Sequence, residues 1–174
     1  MNLIVPKAAA KKLISMGVID DVTLTYTKNS AVFKSDEYTI YTRLITGNYF
    51  PYQKMFTEGE INTCASRTAL IGAMTRAKMC TEEKQPAVFQ IEDDVLNISI
   101  RDKLVDYQEQ VPLQETVCKS IRLGFDSKLV LETLKAFTCD NIALGFTSPR
   151  TPMIVEAEDS DMKAMVLPVA IREA

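Results

Sequence analysis

Three times along this chain a short apolar run leads into a helix-forming segment and then into stretches that alternate apolar with polar residues. The helical segments are "VPKAAAKKLISM", "ASRTALIGAMTRAK" and "FDSKLVLETLKAF". Their starts, Pro6, Ser66 and Asp126, stand 60 residues apart twice in succession. Ser66 and Asp126 are N-cap residue types, and Pro6 suits a cap or a first turn. A fixed period of this kind is the mark of a repeated unit.

Strand patterns follow each helix. In the first copy they are "DVTLTYTK", "SAVFKSD" and "YTIYTRLI", rich in Val, Thr, Tyr and Ile, with turns expected at Lys28 to Ser30 and Ser35 to Glu37. In the second, "AVFQIEDDVLNISIR" reads as a hairpin turning at Glu92 to Asp94, followed by "LVDYQEQVP". In the third, "NIALGFT", "MIVEAED" and "MKAMVLPV" are separated by "TSPRTP" and "EDSD". Ahead of the helices run "NLIVP", "EINTCA" and "SIRLGF". The chain is therefore expected to be α+β: three β-α-β-β-β units, with antiparallel sheets outside and the helices on one inner face. The segment "GNYFPYQKMFTEGE", residues 47–60, has the aromatics of an ordered connection, unlike a polar Gly/Ser spacer. It puts a domain boundary near residue 57, giving a one-unit domain 1–56 and a two-unit domain 57–174.

Composition narrows the chemistry. The chain has 174 residues, 47% of them hydrophobic and 25% charged, as in an ordinary globular protein. No apolar run approaches the ~18–20 residues of a membrane span, and Met1 opens no signal-peptide pattern. A soluble, cytoplasmic protein is expected. Cys64, Cys80, Cys118 and Cys139 lie far apart and read as reduced thiols. Histidine is absent. Its absence removes Ser-His and Cys-His nucleophile pairs and nearly every catalytic zinc arrangement, so an enzyme is disfavoured and no cofactor is expected.

Charge is sorted by element. The three helical segments hold eight cations, Lys7, Lys11, Lys12, Arg67, Arg76, Lys78, Lys128 and Lys135, against two acids, Asp126 and Glu132. The net charge of the whole chain is −3, so everything outside the helices is strongly acidic. Lysine and arginine are good helix formers and solvate an exposed face, which is the bland explanation. Glutamate is an equally good helix former, yet it appears once. Helices that jointly face a polyanion explain the bias better, through contact with phosphates and without base reading. Lys7 and Lys11 share a helix face, as do Lys128 and Lys135.

These features together resemble the bacterial DNA polymerase III beta subunit family, the ring-shaped sliding clamps. "NLIVPKAAAKKLI" is similar to the strand and helix opening the second half of the family's middle domain. "YTRLITGNYFPYQKMF" resembles the connection from middle to last domain, and "LGFDSKLVLETLKAF" a helix of the last domain. "FTSPRTPMIVEAED" with "AMVLPVAI" resembles the family's ending. These matches run in family order over essentially the whole chain. Phe50 stands where proline is usual, with Pro51 one place late, and Ala170 stands where arginine is common. The family builds a clamp from six units per chain and twelve per ring; this chain has three, the equivalent of half a middle domain plus the last domain.

The resemblance implies site residues. The DNA-facing set would be Lys7, Lys11, Lys12, Arg67, Arg76 and Lys128, touching duplex DNA weakly so that the clamp slides. Peptides of polymerase, clamp loader and repair partners would dock on Phe50, Pro51, Lys54, Met55, Pro152, Met153, Val166, Leu167, Pro168 and Val169, although part of Met165 to Val169 must be core. Ring closure would use Met79 and Cys80, expected to be exposed or recruited into another contact. Two arrangements stay open: a truncated piece of a ring, or four three-unit chains supplying twelve units. Two other function classes compete. One is a peptide-binding module or decoy without a DNA role. The other is a Mg²⁺ enzyme using Glu92, Asp93 and Asp94, or Glu156 to Asp161; acidic turns are ordinary hairpin chemistry, which weighs against it.

Overall fold

In the computed structural model the described residues are 3–16, 21–80, 85–101 and 105–171. Asn2, Gly17 and Leu104, which belong to expected elements, lie outside them. The chain divides into two compact units, Met1–Tyr52 and Gln53–Ala174.

In the first unit α1 (Lys7–Ser15) starts after Pro6, whose ψ of 142° is extended and which offers no side-chain cap. β1 (Thr23–Tyr26), β2 (Ser30–Lys34) and β3 (Thr39–Arg43) form an antiparallel meander in that order. Both turns fall where the polar clusters put them. Thr27 N–H donates to the Ser30 carbonyl at 2.8 Å, and Ser35 N–H to that of Tyr38 at 3.0 Å. One expectation fails: the segment leading into α1 is irregular from Leu3 to Pro6. Ile45 N–H donates to the Ile4 carbonyl at 2.9 Å, Pro6 has no N–H to give, and among the described residues no strand takes up the rest. Among the described residues of this unit only Ala31 and Leu44 are buried, and α1 contributes none.

The second unit is built differently. β4 (Ile61–Ser66) leads into α2 (Arg67–Met79), and β5 (Ala87–Arg101) and β6 (Asp106–Phe125) lead on to α3 (Ser127–Ala136). β7 (Asn141–Phe146), β8 (Met153–Ala157) and β9 (Lys163–Val166) complete an antiparallel sheet ordered β5-β6-β4-β7-β8-β9. The α+β expectation holds, with three α-helices and antiparallel sheets among the described residues. The hairpin expected at Glu92 to Asp94 does not form. Residues 87–101 are one strand, and "DYQEQVP", from Asp106 on, and "SIRLGF" belong to one 20-residue strand, β6. Irregular pairing is the cause. Between Ile91 and Val95 the partner runs all the way from Ile121 to Pro112, and Asp93 adopts φ 53° at the shift. Pro112 is tolerated at such a bulge. Here β6 turns to β4, pairing Leu113 with Ala65, and the Thr63 hydroxyl donates to the Glu115 carbonyl at 3.3 Å.

α2 and α3 pack on each other over one core. Leu70, Met74, Val130 and Leu134 come from the helices, and Phe89, Ile91, Leu96, Ile98, Phe125, Ile142 and Phe146 from the strands. Phe89 and Phe125 meet edge to face at 5.1 Å. The strand pairing is reciprocal. β4, which leads into α2, pairs with β7, the first strand after α3. The end of β6, which leads into α3, pairs with the start of β5, the first strand after α2.

Candidate functional site

Local chemistry sets the two helix starts of the second unit. Ser66 Oγ accepts from Ala69 N–H at 3.4 Å. Asp126 Oδ1 accepts from the N–H groups of Lys128 and Leu129 at 2.8 and 3.2 Å. With α2 and α3 side by side, Lys128 and Lys135 project from exposed positions on α3, as Lys7, Lys11 and Lys12 do on α1. Among the described residues none of these five lysines is in an ion pair.

The two arginines are engaged. Arg67 Nε donates to the Cys139 carbonyl at 2.7 Å, and its backbone N–H to that of Asp140 at 2.9 Å, tying the start of α2 to the loop before β7. Arg76 grips Glu109 with two nitrogens, Nε to Oε2 at 2.8 Å and Nη2 to Oε1. The Tyr107 hydroxyl is in reach of the same carboxylate and of the Ala73 carbonyl, the latter at 2.9 Å. The Arg76 hydrogen bonds hold the Glu109 carboxyl below its ordinary range, and Glu109 in turn raises the Arg76 guanidinium. Burial first, then Glu109, pushes the Tyr107 phenol up. Arg76 is thus not the uncompensated cation its helix position suggests. Tyr107 and Glu109 share a strand face, but no sequence signal joins them to an arginine 33 residues before Glu109.

The expected peptide-pocket residues fall into two groups in the second unit. Met153 and Val166 are a cross-strand pair inside the core. Past Val166 the chain alternates outward, leaving Leu167 57% and Val169 42% exposed, with Pro168 half-buried. The Val169 N–H donates to the Gly124 carbonyl at 2.8 Å, which pins this end of the chain. A Cβ on Gly124 would lie 2.7 Å from the Val169 carbonyl oxygen, so the close approach needs glycine there. Pro152 and Met55 are half-buried and Lys54 exposed. In the first unit Phe50 and Pro51 are exposed, and Tyr49 meets Tyr52 edge to face at 5.9 Å. A cleft of about 240 Å³ lined by Glu58, Gly59, Asn62, Gly145, Ile154 and Glu156 contains none of the expected pocket residues. At the end of α2 Met79 is 83% exposed, whereas Cys80 packs on the core.

The acidic stretches have structural partners. Glu92 accepts from Gln90 at 2.7 Å beside the bulge, Glu156 pairs with Lys163 at 2.7 Å, and Glu158 accepts from Cys64 Sγ at 3.2 Å. Burial, helped by Glu158, pushes the Cys64 thiol up to about 11. Among the described residues no group of three or more Cys, Asp or Glu is placed to hold a metal ion. Nor is any helix there long and apolar enough to cross a membrane.

The family model described as DNA polymerase III beta subunit, C-terminal domain, matches residues 55–170. The chain belongs to the DNA polymerase III beta subunit family. A beta sliding clamp of Staphylococcus aureus is 25% identical over 175 residues, covering 97% of this chain and 46% of the relative. That of Streptococcus pneumoniae is 23% identical over 159 residues, covering 88% and 42%. Among solved structures, a beta subunit from Streptococcus pneumoniae superposes with a TM-score of 0.88 at 19% identity, covering 98% of this chain and 47% of that one. One from Eubacterium rectale gives 0.86 at 22% identity, with 96% and 47% covered. The chain spans about half the length of the curated relatives it matches. These likenesses establish a DNA polymerase III beta subunit fold, with antiparallel sheets and helices as described.

Proposed function

We propose that the chain works as a sliding-clamp component, a non-catalytic processivity element that lies against duplex DNA and docks short peptides of polymerase partners. The carrying observation is the exposed lysine pair on α3. Lys128 and Lys135 stand exposed on α3, which packs on α2, with no carboxylate partner among the described residues, in a chain that is acidic outside its helices. Such a surface attracts phosphates by counterion release and reads no bases, as sliding requires. Lys7, Lys11 and Lys12 add the same character on α1. Arg67 and Arg76, already engaged, contribute field more than contact.

Peptide docking would use Leu167 and Val169, exposed apolar side chains past β9, with Pro152, Pro168, Met55 and Lys54 of the same unit in supporting roles. Phe50 and Pro51, exposed on the first unit, are further apolar candidates for such a peptide. Hydrophobic anchors of a short peptide suit such residues. Met79 and Cys80 would serve subunit contact.

Fluorescence anisotropy on duplexes of unrelated sequence tests the reading. Binding should be weak, equal across sequences and steeply weakened by salt. Each phosphate that Lys128→Glu or Lys135→Glu leaves unneutralised should flatten the log–log salt slope by about 0.9. Binding unchanged by both substitutions together with Lys7→Glu and Lys11→Glu would remove the DNA role and leave a peptide-docking module. Leu167→Asp should abolish capture of an apolar clamp-binding peptide while leaving DNA affinity in place.

A further inference from the structure

In the second unit, the sheet face turned away from α2 and α3 carries the cleft of about 240 Å³. β7, β8 and β9 send Leu144, Phe146, Met153, Val155 and Val166 into the core. The residues between them, Gly145, Ile154 and Met165, form one row across the opposite face, since Gly145 pairs with Ile154 and Ile154 with Met165. Asn62 of β4 extends the row by pairing with Gly145. Ile154 is 6% exposed yet stands outside the core cluster, because its shelter is the wall of the cleft.

The segment before β4 closes the cleft on one side. A Cβ on Gly59 would stand 2.9 Å from the Gly145 Cα and 2.7 Å from the Phe146 nitrogen, so the segment can lie on β7 only with glycine there. Asn62 Nδ2 donates to the Gly59 carbonyl at 2.8 Å and holds it down. Glu58 lines the cleft from this segment and Glu156 from β8. One cation is already at hand: Lys163 Nζ meets Glu156 Oε1 at 2.7 Å. Glu156 first, then Glu58 and Asp161, raise the Lys163 ammonium above its ordinary value. Three carboxylates around one ammonium leave negative charge in excess, and a carboxylate accepts more than one donor.

The cleft also adjoins the residues assigned to peptide docking. Pro152 and Leu167 lie one residue beyond the Met153–Val166 pair, at the end of the same two strands. From Leu167 to Ile154 and Gly145 is two residues along the sheet and one or two strands across. That is about 8–12 Å, which an extended peptide covers in about three or four residues.

We propose that this cleft is a subsite for a basic residue of the docked peptide. An arginine or lysine about three or four residues from the apolar anchor at Leu167 would lay its stem on Ile154 and its charged head between Glu58 and Glu156. The inference rests on the docking role of Leu167. A guanidinium or ammonium suits the place because its carbon stem takes apolar cover while its donors remain for carboxylates.

Fluorescence anisotropy with short peptides tests this. Each peptide carries a Leu-Phe anchor and Arg, Ala or Glu at one position, moved residue by residue along both sides of the anchor. On one side, Arg three or four residues away should bind about fivefold tighter than Ala, and Glu more weakly than either. Glu58→Gln, on an exposed residue, and Glu156→Gln should erase the gain from Arg and leave the Ala peptide unchanged. Arginine amide alone, which needs no anchor and no variant, should shift the amide NMR signals of Gly59 and Gly145, and sodium acetate should not. Equal affinity of Arg and Ala peptides at every position, a gain that both Gln variants preserve, or glycine signals unmoved by arginine amide would overturn the proposal and leave docking at Leu167 intact. Failure of every peptide to bind would overturn the docking role, and the subsite with it.

Discussion

The two units of this chain are made from the same repeat and reach different ends. In the second, two copies face each other, and Met74 and Leu134 vanish into a shared core. In the first, the described residues hold one copy, in which Ile14, Leu24, Tyr26, Tyr41 and Ile45 are exposed. The difference lies in company more than in composition. A repeat of this size makes an amphipathic helix and sheet but cannot bury its apolar face alone. Hydrophobic patterning therefore specifies which face wants burial, and only a partner decides whether burial happens.

Truncating equivalent side chains gives the sharpest test of that contrast. Met74→Ala or Leu134→Ala removes a fully buried side chain from close packing and should cost about 2–5 kcal/mol in denaturant melts of the second unit. Ile14→Ala, at a position 80% exposed, should change stability by no more than about 0.5 kcal/mol. Equal costs at positions 14 and 134 would mean that α1 is packed after all, and the contrast between the units would collapse.

Much of this was legible in the sequence, and the failures have physical causes. The 60-residue period placed all three helices, because N-cap chemistry at Ser66 and Asp126 and the fixed φ of Pro6 are local signals. The turns at Lys28 to Ser30 and Ser35 to Glu37 were legible for the same reason. Residues 87–101 were misread because Glu92, Asp93 and Asp94 are turn residues by composition. A bulge uses the same residues as a turn, at Asp93 with its positive φ, without reversing the chain. The leading segment has strand composition from Leu3 to Val5, but a strand needs a neighbour, and among the described residues of its unit none pairs with it. The cation bias was readable by counting. That Arg76 is held by Glu109 and Arg67 by the Cys139 carbonyl was not, since both bonds join distant parts of the chain.

Helix starts sharpen the comparison at a smaller scale. Asp126→Ala removes two accepted backbone hydrogen bonds at the head of α3 and should cost about 1 kcal/mol in thermal or chemical melts. Pro6→Ala at the head of α1 removes no such bond, so the helical signal of the first unit should change far less. A comparable loss at both sites would mean that α1 owes more to its start than its geometry indicates.

The smallest expected effect concerns the carboxylate that ties α2 to β6. Glu109 titrates below its ordinary value of 4.5 because Arg76 donates to its charged form. The folded state therefore binds that proton less readily than the unfolded one. The resulting stabilisation is present in full above the ordinary carboxylate range and is lost as pH falls through the lowered folded value. Arg76 is largely solvent-exposed, so screening keeps the effect below that of the Asp126 cap. Glu109→Gln should reduce stability at neutral pH and flatten the acid limb of the stability–pH curve, with little difference from the unsubstituted chain once both are strongly acidified. Lys11→Gln on α1, where no described carboxylate is paired with the lysine, should leave the curve's shape alone. Matching acid limbs in the unsubstituted chain and Glu109→Gln would mean that the Arg76–Glu109 pair adds nothing in solution, and α2 would then be held to the strands by its apolar face alone.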